Sequence, residues 1–100
     1  MEIIWTFKAK DDLKNIYVFL RTEIDDSKAF EIVSKIVNRV EILNKMPLAG
    51  QKEPKFEKLI REYRRLVESD YKIVYHVREN NIYINRVFDT RQNPKKLRIY

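Results

Sequence analysis

A change of hydrophobic period along the chain is the feature that most constrains its fold. In the first half, apolar residues recur at three- and four-residue steps in two stretches, one containing Leu13 and Leu20, the other Phe30 and Leu43. One short run rich in β-branched and aromatic residues, Glu2 to Trp5, precedes these stretches, and three such runs follow them. The order β-α-α-β-β-β predicts an α+β fold, with a helical hairpin packed on one face of a mainly antiparallel sheet.

Local signals place the ends of these elements. We expect Thr6 to cap the first helix, Asp26 or Ser27 to cap the second, and Met46-Pro47 to end it. The stretch "QKEPKFEK" contains Pro54 and is predicted to be a loop. Because the helices cover only one face, we expect the other face of the sheet to stay open to solvent and to hold basic side chains. The three later strands are predicted at about 59–68, 71–78 and 82–88.

Composition excludes several classes of protein. The 100 residues predict a single domain, 1–100, and the absence of Cys excludes disulfides and thiolate metal sites. One His and one Gly leave no transition-metal site and no phosphate-cradling loop, so no metal and no cofactor are expected. His76, in the middle of a predicted strand, is interpreted as a structural residue. The N-terminus does not resemble a signal peptide and no apolar run could span a bilayer, which predicts a cytoplasmic protein without membrane contact.

The positive charge is confined to the second half of the chain. Residues 1–49 hold eight Lys or Arg and eight Asp or Glu, whereas residues 50–100 hold thirteen and seven, which accounts for the net charge of +6. Such a surface suits RNA, DNA or an acidic protein, although it also suits a surface that serves solubility alone. Arginine side chains clamp phosphates, and interleaved tyrosines can stack on bases. The candidate nucleic-acid-binding or target-binding residues are Arg61, Arg64, Arg65, Lys72 and Arg91.

Several segments together resemble a known superfamily. "REYRRLV", "YKIVYHV" and "IYINRVFDTRQNP" resemble the second half of RelE/ParE-superfamily toxins, which belong to type II toxin–antitoxin systems and include plasmid stabilisation proteins. Trp5, "AKDDLKNIYVFL" and "MPLAG" match the first half, so the resemblance covers nearly the whole chain. It implies a cognate antitoxin that wraps the toxin and masks its working surface in a hetero-oligomeric complex.

The superfamily contains two mechanisms, and the nuclease residues carry over only in part. RelE- and YoeB-like members cut mRNA on the ribosome. The resemblance implies that Arg65, Lys72 and Arg91 would contact the phosphate and that Glu53 would be the general base. YoeB-like toxins have His-Tyr just after the last strand, where this chain has Thr90 and Arg91. Tyr100 is the candidate that is left for the general acid.

The ending of the chain resembles the other group. "FDTRQNPKKL" is similar to the Arg-x-Asp/Asn-Pro ending of ParE-like members, which inhibit DNA gyrase. This ending favours a gyrase inhibitor over the alternative of a ribosome-dependent mRNA endoribonuclease, and enzymatic activity therefore stays open. A second alternative is a non-toxic basic module that binds RNA or a protein.

Overall fold

A computed structural model describes residues 1–99 as two helices packed on a five-stranded sheet, which confirms the predicted α+β architecture. The strands run in the spatial order β1-β5-β4-β3-β2. Only β1 lies parallel to its neighbour, β5, and the other pairs are antiparallel. None of the helices in residues 1–99 is long and apolar enough to cross a membrane. The helices and strands are β1 (Glu2–Trp5), α1 (Phe7–Glu23), α2 (Asp26–Val40), β2 (Gln51–Lys52), β3 (Arg64–Glu68), β4 (Tyr71–Arg78) and β5 (Asn81–Asp89).

The two helices begin at side-chain caps. The Oγ1 of Thr6 accepts a hydrogen bond from the backbone N–H of Ala9, which confirms the predicted cap of α1. The second cap was predicted at Asp26 or Ser27, but it is Asp25, whose carboxylate accepts from the N–H of Lys28 at 2.7 Å. Asp25 has an extended backbone, as a capping residue requires, whereas Asp26 is already the first helical residue.

The main core fills the space between the helical hairpin and the sheet. Its floor comes from the strands and includes the fully buried Ile73, Tyr75 and Ile84, and its roof comes from the helical side and includes Ala9 and Ile36. On β3, Leu66 faces this core while Arg65 faces away, as the alternation of a strand requires. The helical hairpin therefore covers one face of the sheet, as expected.

The opposite face of the sheet is also covered, so the prediction of a solvent-open face is wrong. A second buried cluster on this face contains Phe56, Tyr63, Val74 and Leu97. Phe56 lies in the short 3₁₀ helix Pro54–Phe56, and Leu97 follows another one, Pro94–Lys96. We call the segments 54–61 and 94–99 the covering layer. Phe56 and Leu97 of this layer pack on the sheet because burial of their apolar surface stabilises the fold by roughly 25 cal/mol per Å².

The chain from the end of α2 to β4 differs from the prediction in three places. The helix α2 was predicted to end at Met46-Pro47, but it ends at Val40, and a 3₁₀ helix, Glu41–Asn44, follows it. The predicted loop contains the two-residue strand β2, whose register pairs Gln51 with Arg65. The following strand begins at Arg64 rather than near Leu59, because residues 59–62 are exposed and leave the sheet. The carbonyl of Tyr63 accepts the N–H of Glu53 at 2.9 Å and so continues the pairing of this edge.

A partly buried ion pair attaches α1 to the part of β5 that extends beyond β1. The pairing with β1 ends at Ile84, and further along β5 the guanidinium of Arg86 donates two hydrogen bonds to Asp12, at 2.9 and 3.0 Å. The same carboxylate accepts the backbone N–H of Val87 at 2.9 Å. These bonds raise the pKa of Arg86 and hold α1 against the sheet.

Candidate functional site

Three of the predicted nuclease residues meet on the sheet face under the covering layer. Glu53 follows β2, and its side chain is only 1% exposed. One carboxylate oxygen accepts from Arg65 on β3 at 2.7 Å, and the other accepts a short hydrogen bond from Lys72 on β4. We call Glu53, Arg65 and Lys72 the buried ion triad. Both carboxylate oxygens are thus engaged, and both cations are already paired with the same carboxylate.

Arg91 lies on the other side of the sheet, away from the buried ion triad. Its guanidinium donates two hydrogen bonds to Asp89, at 3.0 and 2.9 Å, and it also pairs with Asp70 at 3.6 Å. It borders a cleft on the helical side together with Leu20 and Tyr71. The bonds to Asp89 raise the pKa of Arg91, and they lower the pKa of the carboxyl group. Arg91 is therefore not positioned to contact a phosphate held at Lys72.

The remaining candidate residues occupy other places. Arg64 lies on the helical side of the sheet, where it donates to the carbonyl of Gly50 at 2.7 Å and pairs with Glu62 at 3.1 Å. Arg61 is exposed in the covering layer and forms no ion pair within residues 1–99. Tyr100, the candidate acid, lies outside the described residues. The seven candidate residues therefore do not form one continuous site in the part of the chain that the structure describes.

This geometry limits the chemistry that the buried ion triad can perform as it stands. A general base needs a carboxylate oxygen within reach of the substrate proton, and Glu53 has neither exposure nor an unused oxygen. Within residues 1–99, no three His, Asp or Glu side chains are grouped to hold a metal ion. The triad instead connects β2, β3 and β4, which is a structural function.

A buried row of aromatic rings lies beside the triad and includes His76. The imidazole stacks on Tyr83 with the ring centres 5.0 Å apart, and Tyr63 contacts it edge-on at 5.4 Å. Its Nδ1 lies 2.7 Å from the side-chain oxygen of Asn85, so Nδ1–H donates and Nε2 carries no proton. Nε2 is buried without a hydrogen-bond partner among the described residues. Burial accordingly lowers the pKa of His76, an effect that the bond to Asn85 opposes.

We expect the free energy of unfolding to decrease as the pH falls from 7 to 5, because of His76. Its pKa is lower in the folded chain than the ordinary value of 6.5, so the unfolded chain takes up the proton first. Above pH 6.5 the contribution of His76 to stability is fully present. Below pH 6.5 the free energy of unfolding decreases by at most about 1.4 kcal/mol per pH unit, until the pH reaches the folded-state pKa of His76. Urea unfolding at several pH values measures this decrease.

The substitution His76→Phe supplies the control for this measurement. It keeps a stacked ring but cannot bind a proton, so its stability should stay level over the same pH range. Arg61 and Arg78 also lower the pKa of His76, but both stay charged throughout and contribute no slope of their own. An equal decrease in His76→Phe would assign the effect to carboxyl groups instead.

The comparisons with known proteins point to one family. A family model described as "ParE toxin of type II toxin-antitoxin system, parDE" matches residues 3–94. A solved structure described as "Chromosomal ParDE TA system from P. aeruginosa" is similar, with a TM-score of 0.76 and 27% sequence identity. The match covers 89% of this chain and 95% of that one. Comparison with curated proteins finds no significant match.

Proposed function

Because the chain belongs to the ParE family of toxins of type II toxin–antitoxin systems, we propose that it arrests bacterial growth by inhibiting DNA gyrase. In this proposal residues 1–100 act as one toxin domain in the cytoplasm, and the cognate antitoxin prevents the arrest by binding the toxin. The family membership confirms the resemblance on which the sequence analysis relied. The choice of gyrase rests on the geometry of the candidate site.

The observation that carries this choice is the buried ion triad. Ribonuclease chemistry of the RelE or YoeB type would need Glu53 as a base and Arg65 and Lys72 as phosphate contacts. In this chain Glu53 is buried and bonded to both cations, and Arg91 lies on the helical side of the sheet. A gyrase inhibitor needs no general base, so this arrangement supports a toxin that acts by binding.

One observation favours the alternative of ribosome-dependent mRNA cleavage. Arg65 and Lys72 are each within hydrogen-bond distance of Glu53, and a substrate phosphate that displaced the carboxylate would find two cations in place. That displacement would expose Glu53, which is 1% exposed in this structure. The cost of separating a buried ion pair, about 3–5 kcal/mol, disfavours this route.

Exposed apolar side chains on the helical hairpin support a protein partner such as the antitoxin. Phe19, Ile24 and Phe30 are each more than half exposed, and Val18 lies beside Phe19 on α1. Clustered exposed apolar surface is typical of a surface that is covered in a complex. We propose that the antitoxin covers part of this hairpin.

Two assays on the toxin purified away from its antitoxin test the mechanism. We expect the toxin to inhibit DNA supercoiling by purified gyrase and the added antitoxin to restore it. Primer extension on mRNA from a cell-free translation reaction should show no new 5′ ends. New 5′ ends that require ribosomes, with supercoiling unaffected, would establish the nuclease instead. Unaffected growth of cells that express the protein would favour the non-toxic binding module.

A further inference from the structure

The cationic side chains of the sheet already have partners. Arg65 and Lys72 bond to Glu53, and Arg86 bonds to Asp12. Arg64 and Arg91 pair with Glu62 and Asp89, and Arg78 lies over the ring of Tyr83 at 5.3 Å. Because these cations are already paired or stacked, the strands do not provide the free basic surface that the sequence suggested.

The covering layer holds six cations that have no ion-pair partner among the described residues. Each of them is exposed, and none forms an ion pair or a side-chain hydrogen bond within residues 1–99. The layer contains only one carboxylate, Glu57, so six cations and one anion give +5, against +6 for the entire chain. The charges of these two segments therefore sum to nearly the net charge of the whole chain. The six cations are Lys55, Lys58, Arg61, Lys95, Lys96 and Arg98.

An exposed apolar side chain lies between two of these cations in the chain. Ile60 is fully exposed, and Lys58 and Arg61 are its near neighbours in the chain. A fully exposed isoleucine gains nothing from the fold of this chain, because none of its surface is removed from water. Proteins that bind DNA frequently place an isoleucine or leucine between basic residues and insert it between base pairs.

We propose that the covering layer binds the backbone of duplex DNA, with its unpaired cations on the phosphates and Ile60 against the bases. This inference rests on the proposed function, since the DNA would be the segment that gyrase holds. Four of the six cations are lysines, which act as point charges and suit contacts that position a protein without reading sequence. Their distribution over two separate segments suits an extended charged backbone better than a single acidic side chain.

Fluorescence anisotropy with a labelled duplex of about 20 base pairs tests the proposal. The variant Lys55→Gln/Lys95→Gln/Lys96→Gln removes three charges from the layer. Its matched control, Lys8→Gln/Lys10→Gln/Lys14→Gln, removes three exposed, unpaired lysines from α1. Both variants lower the net charge equally. Because the six side chains are exposed and form no ion pair or side-chain hydrogen bond with described residues, both variants should unfold at the same urea concentration as the wild type.

We expect the layer variant to bind the duplex roughly tenfold or more weakly and the control to change affinity less than about threefold. In the layer variant the slope of log K against log salt should shrink by about 2.7, or ~0.9 for each lost phosphate contact. Ile60→Ser should weaken binding without changing that slope. An equal loss in both triple variants, no binding by the wild type, or tighter binding to single-stranded RNA or polyglutamate would overturn the proposal.

The gyrase assay separates this inference from the proposed function. A wild type that inhibits gyrase but does not bind the duplex would leave the function standing and refute the DNA contact. A wild type that binds the duplex through the layer but does not inhibit gyrase would refute the function and leave the DNA contact standing. If both hold, the layer variant should require at least about tenfold more protein than the α1 control for equal inhibition of supercoiling.

Discussion

Glu53→Ala is expected to lower the free energy of unfolding by about 3–5 kcal/mol, because it leaves two cations beside each other without a counter-ion. Arg65 and Lys72 are only 26% and 22% exposed, so water cannot fully replace the lost carboxylate. The loss also removes the side-chain link between the end of β2 and the strands β3 and β4. Urea unfolding followed by circular dichroism measures the change.

Two further variants identify the cause of this loss. Glu57→Ala removes an exposed carboxylate four residues along that has no ion pair among the described residues, and it should cost less than about 0.5 kcal/mol. Glu53→Leu/Arg65→Met/Lys72→Met replaces all three charges with apolar groups of similar size and should be more stable than Glu53→Ala. A loss below about 1 kcal/mol for Glu53→Ala would show that the triad contributes no more than an exposed ion pair does.

Gly50→Ala is expected to destabilise the protein by about 2–4 kcal/mol, because there is no room for a methyl group. A Cβ at this position would lie 2.5 Å from the carbonyl oxygen of Arg65 and 2.8 Å from the ring and the hydroxyl of Tyr75. Neither neighbour can move easily, since Arg65 is paired in the sheet and Tyr75 is fully buried. The φ angle of Gly50 is not in the left-handed region, so space rather than backbone conformation requires this glycine.

The hydrogen bonds around Gly50 determine what the substitution disturbs. The N–H of Gly50 donates to the hydroxyl of Tyr75, which in turn donates to the carbonyl of Pro47, each at 2.9 Å. We expect Gly50→Ala to lower the midpoint of urea unfolding, with these bonds lengthened. The neighbouring Gln51→Ala, at an exposed position, should change stability by less than about 0.5 kcal/mol. Equal stability of both variants would mean that the chain at 47–50 can shift without cost.

Local sequence patterns predicted the structure correctly where it depends on the residues of a single helix or strand. The apolar periods of α1 and α2 correctly predicted two helices, and Thr6 was correctly predicted as a cap, because capping depends on residues only three positions apart. The predicted strand 71–78 agrees with β4 at both ends. The start of β3 was predicted about five residues early, since "LIREY" has apolar residues but pairs with nothing.

The sequence predicted which residues belong to the candidate site, but it did not predict how their charges are paired. The resemblance brought Glu53, Arg65 and Lys72 together, and the structure does place them in contact. Which charges are neutralised depends on pairs such as Glu53 with Lys72 or Asp12 with Arg86, which are far apart in the chain. The basic runs at 55–61 and 95–98 were visible in the sequence, but the sequence did not show that these two segments cover the same face of the sheet.

By itself, the sequence determined the resemblance to the superfamily, the order of the elements except β2 and the positive charge of the second half, because these are read from motifs, period and composition along the chain. Only the tertiary structure decided that Phe56 and Leu97 cover the second face of the sheet. The tertiary structure also decided that the cationic side chains of the strands have ion-pair or ring partners, whereas those of the covering layer form no ion pair within residues 1–99. The physical reason is that burial and ion pairing depend on distances between segments that fold together, and no local pattern contains those distances.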